Sequence, residues 1–138
     1  MPWTFFNSSG ESMVTHAESE ATQAEMEAQT AVAHFVPPDL IKHSPGVAKG
    51  WIAIPSDGAS ITGSYNVSSL TDSGTGARTI VWNTDFSANT YAVVTGKDDD
   101  DTGGVDIGTP AVGSVTVTAY KSGSQADRKH YHAAFGDQ

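Results

Sequence analysis

Apolar and polar positions alternate most cleanly in Val115, Val117 and Ala119 against Thr116, Thr118 and Tyr120, the period-two pattern of a strand with one buried face. Runs rich in β-branched and aromatic residues recur between Gly, Ser and Asp turns. They predict strands near 51–54, 60–67, 78–83, 91–96, 114–120 and 129–135. Residues 71–76 are expected to form a turn, and 98–104 a loop between strands. Several short strands separated by turn signals predict a mainly β fold, a small antiparallel β-sandwich or jelly-roll-like domain over residues 46–138.

Before residue 46 the pattern changes. Residues 3–6 read as a short apolar strand ending in a turn, and a helix is expected within 18–35, stopped by Pro37-Pro38. Its best local signal is Thr22-Gln23-Ala24-Glu25, in which hydroxyl and carboxylate can cap orphan amides reciprocally. The larger apolar residues of this helix, Met26, Val32 and Phe35, are sparse among alanines, so its stripe is too thin for independent folding. With Trp3, Phe5 and Phe6 they are expected to form an attachment or oligomer interface. A short helical turn is expected at 38–42. Every glutamate lies at or before Glu27 and every later acidic residue is aspartate, which separates a helical arm, 1–45, from the β domain.

Composition narrows the function classes. A chain of 138 residues suits one modest domain with an appendage. There is no cysteine, which excludes disulfides, thiolate metal sites and cysteine nucleophiles. A formal charge of -9 opposes a phosphate backbone, so nucleic acid is not an expected partner. No apolar run approaches a membrane span, and the amino terminus lacks the basic start and apolar stretch of a secretory signal. The expectation is a soluble protein made in the cytosol.

Candidate chemistry is sparse. Asp98, Asp100 and Thr102 precede Gly103 at alternate positions, with Asp106 beyond, and partly match a calcium loop. Thr109 stands where such a loop needs a bidentate glutamate, so a solvated acidic turn is the preferred reading. His130 and His132 share one face of a strand, where a threefold axis would gather six imidazoles around a transition metal. The preferred reading places Tyr131 in the core and both histidines in solvent. No nucleophile elbow or zinc-protease helix is present, and Gly74-Thr75-Gly76 lacks the rest of a dinucleotide loop. Converging aspartates could serve glycoside hydrolysis only with a pocket, so no enzymatic role is expected. Trp51, Tyr65, Trp82, Tyr91 and Tyr120 would form a sugar-stacking platform if exposed, but inside strands they are expected to be core. Receptor contacts are instead assigned to loop tips: Asp72 and Thr75, Asp85 and Asn89, Asp99 and Asp101.

Four pieces in order carry a family likeness. They are residues 21–28 (ATQAEMEA), 43–51 (HSPGVAKGW), 64–76 (SYNVSSLTDSGTG) and the terminal 133–138 (AAFGDQ). In these the chain resembles small tail-fibre and virion-fibre proteins of tailed bacteriophages, over most of its length from Ala21. It departs from them at Ser56-Asp57-Gly58, where Gly-Thr-Gly is frequent in the family. The resemblance implies a non-enzymatic, usually homotrimeric β-domain displayed on the virion surface. On this view the chain is a tail-fibre or spike subunit for host-surface attachment, joined to other virion proteins through its arm and facing a host glycan or protein. Alternative expectations are a capsid-decorating or head-fibre protein that stabilises the shell, and a carbohydrate-binding module. No cofactor is expected beyond the possible Ca²⁺.

Overall fold

The computed structural model describes residues 4–6, 8–9, 12–15, 20–30, 34–98 and 102–138, with 4–6 and 12–15 described by backbone alone. The chain separates into two compact units, Met1–Ser44 and Pro45–Gln138.

In the first unit, strand β1 (Thr4–Phe6) pairs antiparallel with β2 (Ser12–Thr15). Helix α1 covers only Gln23–Ala28, much shorter than the expected 18–35. Its start is the predicted capping box: the Glu25 N–H donates to the Thr22 hydroxyl, and the Thr22 N–H donates to the Glu25 carboxylate at 2.8 Å. Those bonds hold the Glu25 carboxyl below its ordinary range. The helix stops because Gln29 turns left-handed (φ 55) and donates its N–H back to the Glu25 and Met26 carbonyls. With no buried residue, α1 has no packed face to sustain further turns. Ala21 then receives the returning chain, its N–H donating to the Phe35 carbonyl at 3.0 Å. A 3₁₀ helix follows at Pro38–His43, where the short turn was expected.

The second unit holds nine strands among its described residues: β3 (Gly50–Ile54), β4 (Gly63–Tyr65), β5 (Val67–Gly74), β6 (Ala77–Trp82), β7 (Ala92–Lys97), β8 (Val105–Ile107), β9 (Ser114–Lys121), β10 (Ser124–Gln125) and β11 (His130–Phe135). They form two antiparallel sheets. One runs β10-β9-β6-β5 with β8 also paired to β9, and the other β4-β3-β11-β7. Ile52, Ile54 and Ala134 from the four-stranded sheet meet Ile80, Trp82, Val115 and Val117 from the five-stranded sheet, with Phe86 and Tyr91 closing one shared core. The expected sandwich is therefore present. Trp82 and Tyr91 are core as expected: the indole N–H donates to the Tyr91 hydroxyl at 3.0 Å, and the Tyr91 and Phe86 rings stack at 3.9 Å.

Three details differ from expectation. The strand expected at 60–67 is two strands, because Asn66 is left-handed (φ 56) and carries the chain from one sheet to the other. Its side chain fixes that corner by donating to the Thr84 carbonyl at 3.1 Å and accepting from the Thr84 N–H at 2.7 Å. The turn expected at 71–76 shrinks to Thr75-Gly76, since β5 continues to Gly74. Strands β8 and β10, three and two residues long, were not expected, being too short for any period to show.

Arg78 pins one end of the sandwich. Only 2% exposed on the inner face of β6, it donates to Asp127 at 2.8 Å, to Asp72 at 2.9 Å, and to the Gly58 carbonyl. Gly58 has φ +66, and a Cβ there would collide with the guanidinium, so the approach requires glycine.

Candidate functional site

The outer face of the four-stranded sheet is the most unusual surface of the β unit. Register places Tyr65, Trp51, Ala133 and Val94 in one row across β4, β3, β11 and β7, and Gly63, Ala53, Tyr131 and Gly96 in the next. Trp51, Tyr65, Tyr131 and Val94 are 43%, 57%, 37% and 59% exposed. Trp51 and Tyr65, expected in the core, thus face water. The reason is strand parity: Ile52 and Ile54 take the inner positions of β3, which leaves Trp51 and Ala53 outside.

Large and small residues are mixed on this face. Trp51 stands beside Ala133, and Tyr131 stands between Ala53 and Gly96. The Trp51 ring leans over Gly63, where an added Cβ would lie 3.2 Å from ring carbon Cη2. At the rim, the Tyr131 hydroxyl donates to the Asp98 carboxylate at 3.1 Å, and the Lys129 ammonium donates to the same group. Asp98 chiefly, and Tyr131 next, hold Lys129 above its usual range.

Behind this face the histidines are inverted relative to expectation. His130 and His132 are 1% and 3% exposed, and Tyr131 points outward. Strand parity again decides it, because Ala134 occupies the core and fixes residues 130 and 132 on the same inner side. His130 Nδ1 and His132 Nε2 lie 2.7 Å apart and share one hydrogen bond, while His132 Nδ1 is buried without a partner. A lone pair on that atom is less costly than a stranded N–H, so the favourable tautomer has His132 Nε2–H donating to His130 Nδ1. Burial pushes His130 down to about 4, with Arg78 adding to it, and His132 down to about 3, with His130 adding to it. Such burial prevents the pair from gathering with other copies around a metal on a threefold axis. Within the described residues of the β unit, no cluster of three carboxylates or imidazoles includes them.

The calcium expectation meets a similar geometry. Asp98 is engaged by Lys129 and Tyr131, Asp106 lies in strand β8 opposite Thr118, and Thr102 sits 3.5 Å from the Ser122 hydroxyl. Asp106 is thereby part of a paired strand, and Asp100 lies outside the described residues.

The expected receptor residues divide. Thr75 is exposed at the β5–β6 hairpin tip, and Asp85 and Asn89 are exposed between β6 and β7. Asp72 is committed to structure, accepting from Arg78 and from the Gly74 N–H at 2.8 Å. Asp99 and Asp101 lie outside the described residues. Of the expected attachment residues, Phe35 is 46% exposed and Met26 half-buried; Trp3, Val32 and the side chains of Phe5 and Phe6 lie outside the described residues. Tyr120 is half-buried on the outer face of the five-stranded sheet.

The chain matches no protein-family model, no curated protein and no solved structure.

Proposed function

We propose that this chain is a structural protein of a bacteriophage particle, a homotrimeric tail-fibre or spike subunit whose β-sandwich is displayed for attachment to the host surface. It performs no chemistry of its own. The virion setting draws on the likeness of residues 21–28, 43–51, 64–76 and 133–138 to phage fibre proteins. The attachment role draws on one observation above all: a sandwich with a complete core still exposes Trp51, Tyr65, Tyr131 and Val94 together on one sheet face. In the arm, α1 and the 3₁₀ helix bury no residue, and Phe35, Val36 and Ile41 are exposed, as suits a segment completed by other chains.

Mass spectrometry and immunogold labelling of purified particles test the reading. The expected result is the chain on the tail, in a copy number divisible by three. Absence from purified particles overturns it. Sedimentation as a 14.4 kDa monomer at micromolar concentration overturns the trimer.

A further inference from the structure

We propose that the outer face of the four-stranded sheet is a stacking site for a neutral polysaccharide, with Trp51 and Tyr131 as the stacking rings. This deepens the attachment reading and rests on it.

The layout of the face is the first argument. Trp51 and Tyr131 are diagonal neighbours on the paired strands β3 and β11, a relation that spans about 7–8 Å and lies within reach of aromatic side chains. Between and beside them the floor is bare at Ala53, Ala133 and Gly96. Trp51 leans into the space that Gly63 leaves open. Two rings flanking a floor of small residues make a shallow trough, with π-faces available to the C–H faces of sugar rings. A closed apolar patch would instead fill those positions with bulky side chains.

Size is the second argument. Six residues of β11 at about 3.3 Å each, across three strand spacings of about 4.8 Å, outline roughly 300 Å². A stable protein partner, including a second copy of this chain, needs about 800 Å² per side. The face suits a ligand smaller than a protein.

Charge gives the third. The chain carries -9, yet no outward position of β4, β3, β11 or β7 is charged. The rim charges Lys129 and Asp98 are paired with each other. A polyanion finds no basic patch here. An uncharged chain of hydroxyl-bearing rings meets no such obstacle. The Asp98 carboxylate, the Lys129 ammonium and the Tyr131 hydroxyl stand together at one end of the trough, a polar margin beside the stacking rings.

The test titrates the full-length protein with cellohexaose, chitohexaose and maltohexaose, followed by calorimetry and tryptophan fluorescence. At least one hexasaccharide is expected to bind. Trp51→Ala and Tyr131→Ala should each weaken that binding at least tenfold, Trp51→Phe should restore it to within threefold, and Gly63→Val should weaken it by lifting the Trp51 ring. Thr79→Ala, on the opposite sheet, should change nothing. Unaltered circular dichroism and melting temperature for Trp51→Ala confirm that the loss is local. Failure of all three sugars to bind overturns the proposal, as does binding indifferent to Trp51 and Tyr131. A change in sedimentation mass on Trp51→Ala also overturns it, because the face would then belong to an interface between copies. Absence of the chain from particles would remove the virion role while leaving sugar binding intact, so the two readings fail separately.

Discussion

The two sheets of the β unit share one core and one alternation, yet they turn opposite chemistry to water. The five-stranded sheet shows mainly threonine and serine hydroxyls: Thr79 lies 3.2 Å from the Ser73 hydroxyl and 3.5 Å from that of Thr116, with Thr71 and Thr118 beside them and one half-buried ring, Tyr120. On the four-stranded sheet Trp51, Tyr65 and Tyr131 face outward, and two imidazoles are turned inward. Since the hydroxyl face folds against the same core, an aromatic outer face is not a requirement of the fold. Exposed rings of this kind carry a solubility penalty that stability does not explain, which is the reason to look for their purpose in binding.

The largest expected effect probes the inverted strand. Both histidine values in the folded chain, about 4 and about 3, lie below the ordinary 6.5, so the unfolded chain binds protons first as pH falls. Their contribution is fully present above pH ~6.5 and is lost as pH falls towards those values. At about 1.4 kcal/mol per pH unit for each imidazole, the loss by pH 4.5 is on the order of 5 kcal/mol. Across the core the charged group facing them is Arg78 of β6, and Lys97 stands opposite His130 in the register of β7. Urea unfolding from pH 7 to 4.5 should show this slope, and the His130→Leu/His132→Leu double variant should flatten it. An unchanged slope would mean that the inner imidazoles do not distinguish this sheet.

Next comes the pin at one end of the sandwich. Arg78→Met should lower unfolding free energy by about 3 kcal/mol, because it leaves Asp127 and the Gly58 carbonyl without their buried donor. Asp72→Asn, at an exposed partner, should cost under about 1 kcal/mol. Asn66→Ala should cost about 1–2 kcal/mol, since it loses two bonds and places a Cβ residue without local support at positive φ. The smallest effect sharpens the comparison most. Trp51→Thr with Tyr65→Thr gives the aromatic face the character of the hydroxyl face, and should leave stability within about 0.5 kcal/mol. A loss of several kcal/mol would make the rings structural.

Legibility in the sequence follows the same divide. Strand β9 was readable because its outward threonines contrast with its inward valines. Trp51-Ile52-Ala53-Ile54 has no polar position to mark which side is wet, so the sequence pattern places Trp51 in the core. In β11 the contrast points the wrong way, because imidazoles look polar and a phenol looks apolar; only the pairing of Ala134 with the core fixes the true parity. The trough was invisible for another reason. Gly63, Ala53, Ala133 and Gly96 come from four strands and become neighbours only when the register is known. The capping box at Thr22–Glu25 was legible because its partners are three residues apart. The end of α1 at Gln29 was not, since a left-handed cap on glutamine has no strong local signal.

The central claim, that recognition resides on the aromatic sheet face and not on the loop tips, is tested most directly by amide chemical-shift mapping of the full-length protein with the neutral hexasaccharide that binds it. The account predicts shifts concentrated on β3, β4 and β11 around Trp51, Gly63 and Tyr131, with β6 and β9 silent. Shifts confined to Thr75 and the 83–90 connection, or spread over the hydroxyl sheet, would contradict it.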